Sequence, residues 1–225
     1  MVNAYGYNFI VPTFKDVAAG TATYDLQNIK LVGANVGDGV SDYIEIWDDA
    51  GAMTDTAYFY VTEAAGADHD GWVDGMMGTE YVEDVTLDLG KGFYLYIGSG
   101  DDVQVQYNGE VQKGNLTSPE LPYGYNIVGN ATPVTVNLQQ IQLLGANVGD
   151  GVSDYIEVWD DTGSMTDTAY FYVTEAQGAD HDGWVDGMMG TDYPTNVEYA
   201  PGQAFFLYVG SGDDLQVKLP AVLAE

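Results

Sequence analysis

The residues best suited to chemistry lie in one short run, Asp68-His69-Asp70-Gly71-Trp72-Val73-Asp74-Gly75, which returns as Asp180 to Gly187. A calcium ion needs several oxygens at about 2.3–2.6 Å from one sharply turning segment. Asp68, Asp70 and Asp74 offer such carboxylates around a glycine, and Asp180, Asp182 and Asp186 repeat them. The pattern departs from an EF-hand loop: the glycine comes one step early and no glutamate closes the loop. It is closer to the acidic loops of calcium-binding extracellular repeats, and Ca²⁺ is the cofactor it implies. The competing reading is a solvated turn rich in Asp and Gly.

Other constellations are weaker. The chain has 2 histidines, His69 and His181, whereas a zinc site takes three or four N or S ligands. The acidic stretch Gly37–Asp42 recurs at 149–154, and Asp101-Asp102 forms a further cluster. A Ser-His-Asp site would have to use Ser41 or Ser99, yet no nucleophile-elbow pattern surrounds either. A glycosidase carboxylate pair could be drawn from 35 acidic residues. Against all catalytic readings, two near-identical copies within 225 residues leave little chain for a deep pocket. Doubling a small module favours avidity or assembly instead.

The elements that must position these loops come in duplicate. Residues 33–81 and 145–193 match at 44 of 49 positions, an offset of 112. Tyr5-Gly6-Tyr7-Asn8 recurs as Tyr123-Gly124-Tyr125-Asn126, an offset of 118, so the first copy holds about six extra residues between Ile10 and Thr23. The organisation expected is repeat one over 1–108, a linker over 109–121 and repeat two over 122–225. Alternation of period two runs through each copy, with no sustained helical period. Strands are predicted at 5–11, 22–32, 42–48, 56–62, 84–89, 93–98 and 102–107, with a bulge at Gln27-Asn28. The fold class is therefore all-β, two tandem β-sandwich or small barrel-like domains.

Strand parity assigns faces. Ile44 and Ile46, then Ala57, Phe59 and Val61, then Phe93, Leu95 and Ile97, with Val103 and Val105, form the expected core. The opposite faces carry Tyr43, Trp47, Tyr58, Tyr60, Tyr94 and Tyr96 in repeat one. Tyr155, Trp159, Tyr170, Tyr172, Phe206 and Tyr208 repeat them in the second. An outward face this aromatic suits cross-strand pairing, a subunit contact or a platform for sugar rings.

The charge narrows the partners. There are 35 acidic and 5 basic residues, a net charge of −30. Nucleic acid and anionic membrane are repelled by that field. The self-repulsion has to be offset by salt, bound cations or a multivalent lattice. With no cysteine, disulfides and thiolate metal sites are excluded. No apolar run of membrane-spanning length occurs, and the start shows no signal-peptide pattern, so a secreted form would be a mature one.

Together, Asp25–Lys30, Ser41–Asp48, Tyr58-Phe59-Tyr60, Gly71–Asp74 and Val85–Phe93 resemble secreted bacterial β-domains that occur in tandem on surface proteins. Repeat two departs at Gly202-Gln203-Ala204-Phe205, where the first copy has Gly90-Lys91-Gly92-Phe93. The resemblance implies an extracellular or cell-surface setting and no catalytic residue. The function expected is a self-assembling structural subunit of a filament, sheath or surface layer, associating through strand edges or aromatic faces and stabilised by calcium. A tandem carbohydrate-binding module using the Tyr and Trp faces is the alternative.

Overall fold

The structure is a computed structural model that describes residues 2–3, 6–14, 23–34, 42–47, 53–75, 78–98, 103–111, 113–146, 154–159, 165–187, 190–210 and 215–221. Repeat one contributes β1 (Val2–Asn3), β2 (Gly6–Ile10), β3 (Thr23–Asp25), β4 (Ile29–Val32), β5 (Tyr43–Trp47), β6 (Met53–Val61), β7 (Gly71–Asp74), β8 (Thr86–Asp88), β9 (Phe93–Ile97) and β10 (Val103–Tyr107). The remainder contributes β11 (Leu116–Thr117), β12 (Gly124–Gly129), β13 (Val136–Asn137), β14 (Gln142–Leu144), β15 (Tyr155–Trp159), β16 (Met165–Val173), β17 (Gly183–Asp186), β18 (Glu198–Tyr199), β19 (Ala204–Val209) and β20 (Gln216–Leu219).

The two halves build the same sheets. A five-stranded sheet has the order β2-β9-β5-β6-β7, matched by β12-β19-β15-β16-β17. A three-stranded sheet, β1-β10-β4, is matched by β11-β20-β14, and the ribbon β3-β8 by β13-β18. The pairings between these strands are antiparallel. The inner faces of the two sheets meet in one apolar cluster per half. In the first, Ile44, Leu95 and Ile97 of the larger sheet pack with Leu31 and Val105 of the smaller. The architecture is all-β and sandwich-like.

Local chemistry explains the corners. The break at Gln27-Asn28 is a 3-10 turn, Leu26–Asn28, and not the bulge expected. The Asp25 carboxylate accepts the Gln27 N–H at 2.8 Å, which satisfies the turn's first donor and lets the chain leave β8 for β10. The segment read as a linker is partly structured. Its Leu116 and Thr117 pair with Leu219 and Lys218, and Leu116, Ser118 and Leu121 are buried.

One parity assignment is corrected. Ile44 lies opposite Tyr58, and Tyr43 lies opposite Phe59. Directly opposed residues share a face, so Tyr58 and Tyr60 point inward while Ala57, Phe59 and Val61 point outward. Tyr60 and Tyr172 are core residues, 1% and 2% exposed, packed edge-on against Trp72 and Trp184 at 5.0 Å. Tyr58 and Tyr170 sit half-buried at the rim of that inner face. Alternation orders residues within a strand, but only cross-strand register decides which set faces the core.

The halves join reciprocally. Ile10 bridges to Gln203, and Val128 bridges to Lys91. By the repeat offsets Val128 is the counterpart of Ile10, and Gln203 of Lys91. Contacts of i with j matched by j with i are the mark of a twofold relation, here within a single chain. The junction is tight: the Gly92 N–H donates to the Ile127 carbonyl at 2.8 Å. A Cβ on Gly92 would collide with Ile127 Cγ2 and lie 3.2 Å from the Ala204 Cβ.

Candidate functional site

The acidic loop is held by side chains, each with a structural task. The Asp70 carboxylate accepts the Glu63 N–H at 2.8 Å, capping the 3-10 turn Glu63–Ala65, whose own N-cap Thr62 makes no such bond. Asp182 does the same for Glu175 at 2.7 Å. The Lys30 ammonium donates to the Asp70 carbonyl at 2.8 Å. The His69 ring stacks on Tyr81 at 3.7 Å, and the Tyr81 hydroxyl donates to the His69 carbonyl at 2.7 Å. His181 and Tyr193 repeat the stack at 3.9 Å.

The expected metal ligands are thus dispersed. Asp68 and Asp180 are exposed on the loop, while Asp74 and Asp186 end β7 and β17 opposite Tyr58 and Tyr170. Among the described residues no group of three His, Cys, Asp or Glu side chains gathers to hold a metal ion. The expected clusters at 37–41, 101–102 and 149–153, and the serines Ser41 and Ser99, lie outside the described residues. Asp42 is described and fully buried, its carboxylate accepting the Gly98 N–H at 2.8 Å; Asp154 does the same for Gly210.

The outer face of each five-stranded sheet carries an aromatic row. In repeat one the register aligns Tyr7, Tyr96, Tyr43 and Phe59 across four strands. Ring centroids are 5.0 Å apart for Tyr7 and Tyr96, 4.9 Å for Tyr96 and Tyr43, and 5.3 Å for Tyr43 and Phe59. Tyr43 and Tyr96 are stacked at 27°, and the Tyr7 and Tyr43 hydroxyls hydrogen-bond at 3.0 Å. Tyr125, Tyr208, Tyr155 and Phe171 rebuild the row in repeat two. There the Tyr125 hydroxyl donates to Glu157 at 2.9 Å, and the Tyr123 and Tyr208 hydroxyls meet at 3.0 Å. Tyr7 is 53% exposed and Tyr123 62%.

A second row links the halves. Phe9 and Tyr94 lie side by side at 4.9 Å, and Phe9 meets Phe206 of repeat two at 4.8 Å. That contact buries Phe206, expected on an open face. The Trp47 and Trp159 backbones close β5 and β15, opposite Met53 and Met165 after a register shift; their side chains lie outside the described residues. Tyr7, Phe9, Tyr123 and Tyr125 were not among the expected site residues, although the repeated Tyr-Gly-Tyr-Asn marked that strand.

Electrostatics follow the packing. Burial first, then the hydrogen bond with Tyr7, pushes the Tyr43 phenol well above its ordinary value. For Tyr125 the hydrogen bond with Tyr155 is the larger cause, ahead of burial and Glu157. Burial raises Tyr94, with Glu45 adding to it, and burial raises the Glu45 carboxyl itself. These rows hold neutral phenols and favour protonation.

Fold and surface together define a duplicated, internally twofold β-sandwich-like protein with a tyrosine-faced sheet on each half. Neither a protein-family model, nor a curated protein, nor a solved structure matches the chain.

Proposed function

We propose that the chain is a non-catalytic structural subunit of an extracellular assembly, associating with further copies through its tyrosine-faced sheets. The observation that carries this is the four-residue aromatic row, built twice on outward sheet faces. The solvent side of an antiparallel sheet is ordinarily polar, and contiguous exposed aromatic surface marks a contact site. Tyrosine suits such a contact because it buries area while its hydroxyl keeps a partner. The rings of Tyr43 and Tyr96 are stacked on each other, and the Tyr43 hydroxyl is bonded to that of Tyr7. That supports a protein contact better than a sugar platform, which needs a free ring face. Two faces per chain permit propagation, and cations lower the repulsion between molecules of charge −30.

The test is sedimentation and negative-stain microscopy at rising protein concentration, with millimolar Ca²⁺ and with NaCl at matched ionic strength. Ordered oligomers are expected, and the Tyr43→Ser, Tyr155→Ser double variant stays monomeric. A wild-type protein that remains a monodisperse monomer in every condition ends the proposal. Polysaccharide binding is the second reading, favoured by the exposure of Tyr7 and Tyr123; a glycan array silent with the wild-type protein removes it.

A further inference from the structure

On each outer sheet face, two tyrosine hydroxyls from strands that are not neighbours meet. In repeat two, Tyr125 and Tyr155 flank Tyr208 across β12, β19 and β15, each with its ring centroid 5.0 Å from that of Tyr208. Their hydroxyls lie 3.1 Å apart, while the Tyr208 hydroxyl is bonded to that of Tyr123. The Tyr125 hydroxyl donates to the Glu157 carboxylate at 2.9 Å, so Tyr155 is the donor within the pair. Repeat one builds the same pair at the equivalent positions: Tyr7 and Tyr43 flank Tyr96, with their hydroxyls 3.0 Å apart.

Two phenols held this way are set for oxidative coupling. Loss of one electron and the hydroxyl proton turns each into a phenoxyl radical, whose odd electron is shared with the ring carbons beside the oxygen. Two such radicals couple by forming a carbon–carbon bond between those ortho carbons. The ortho hydrogens then move to the oxygens and restore two phenols. The product is an ortho-linked biphenol whose hydroxyls also hydrogen-bond to each other, so the contact between the hydroxyls already has the product's arrangement. The Glu157 carboxylate gives the Tyr125 proton a base within hydrogen-bond reach. Tyr125 is 40% exposed and Tyr7 53%, which admits an oxidant and leaves each ring room to pivot. With no cysteine in the chain, no disulfide is available for the same task.

We infer that Tyr125 with Tyr155, and Tyr7 with Tyr43, are dityrosine-forming pairs, each an oxidative staple tying the first strand of a five-stranded sheet to its third. The oxidant is hydrogen peroxide acting through a haem peroxidase. One peroxide takes up the two electrons and two protons that a pair gives up, and leaves as two waters. The bonds join residues 30 and 36 apart in sequence, and constrain the unfolded chain as a disulfide of that span does. The inference concerns one chain alone and does not depend on association between copies.

The test treats the dilute, folded, full-length protein with a haem peroxidase and hydrogen peroxide. Its monomer fraction is then cleaved before aspartate, which places Tyr125, Tyr155 and Tyr208 in different fragments and likewise separates Tyr7, Tyr43 and Tyr96. A fluorescent fragment pair joining Tyr125 to Tyr155 is expected, lighter than its two parts by two hydrogen atoms, together with the counterpart joining Tyr7 to Tyr43. Tyr125→Phe abolishes the first link and spares the second, and Tyr123→Phe spares both. Glu157→Gln slows the first about tenfold. Absence of dityrosine, links chiefly between Tyr123 and Tyr208, links only between chains, or an equal yield of the Tyr125 to Tyr155 link from the urea-unfolded chain would overturn the assignment.

Discussion

Gln27 closes the outer edge of β7 by meeting both backbone groups of Trp72: its Oε1 accepts the Trp72 N–H at 3.1 Å, and its Nε2 donates to the Trp72 carbonyl at 2.7 Å. The same amide donates to the Val82 carbonyl at 3.0 Å, and Gln139 repeats the arrangement around Trp184. An edge strand left open invites pairing with other chains. One glutamine per repeat, presented by the 3-10 turn, shares that task with the backbone that follows: the Val82 N–H donates to the Trp72 carbonyl at 3.1 Å, and the Asp186 N–H to the Asp192 carbonyl at 3.1 Å. Gln27→Ala is expected to lose about 1–3 kcal/mol for each backbone group left unsatisfied, read as a fall in chemical-denaturation midpoint. Gln27→Glu keeps the acceptor but loses the donor, and falls between wild type and Gln27→Ala.

The Asp70 cap gives the acidic loop a role that needs no metal. Asp70→Ala is expected to cost about 0.5–2 kcal/mol, with the same loss measured in EDTA and in millimolar Ca²⁺. A loss that appears only with calcium present would return these carboxylates to metal binding.

Gly92 sets how closely the halves approach. Gly92→Ala forces Ile127 aside and is expected to cost about 1–3 kcal/mol, with faster hydrogen exchange at the Val11 amide, which donates across the junction to Gly202 at 3.1 Å. Adding Ile127→Ala makes room, so the double variant loses less than the sum of the single ones.

Alkaline pH is expected to unfold the protein in a defined window. Tyr43, Tyr94, Tyr107, Tyr125 and Tyr199 all have raised phenol values, burial being the first cause for each except Tyr125. An unfolded tyrosine ionises near pH 10. Below that pH both states are protonated and the stability is fully present. Above it the unfolded chain releases protons that the folded one holds, so stability falls as pH rises toward the folded values. Tertiary circular dichroism should therefore be lost above about pH 10, and the buried phenols should ionise together with that loss.

Much was legible before folding. The duplication, the period-two alternation and the turn glycines announced two all-β halves, and β5, β9 and β10 fall within the predicted ranges. Tyr43, Tyr94 and Tyr96 lie outward as expected, because alternation within a strand is a local property of the backbone. β7 was missed because its four residues, Gly71–Asp74, are short and flanked by turn formers; it is held by Gln27, distant in sequence.

What the sequence determined by itself is whatever depends on neighbours along the chain: strand periodicity, the Asp25 and Asn137 caps, and the equivalence of the halves. Tertiary structure alone decided that Tyr60 turns inward while Phe59 joins the outer row. It also decided that Phe206 is covered by Phe9. Each of those outcomes is set by register or by contact between segments far apart in sequence. A one-residue change in pairing exchanges the two faces of a strand without altering its pattern.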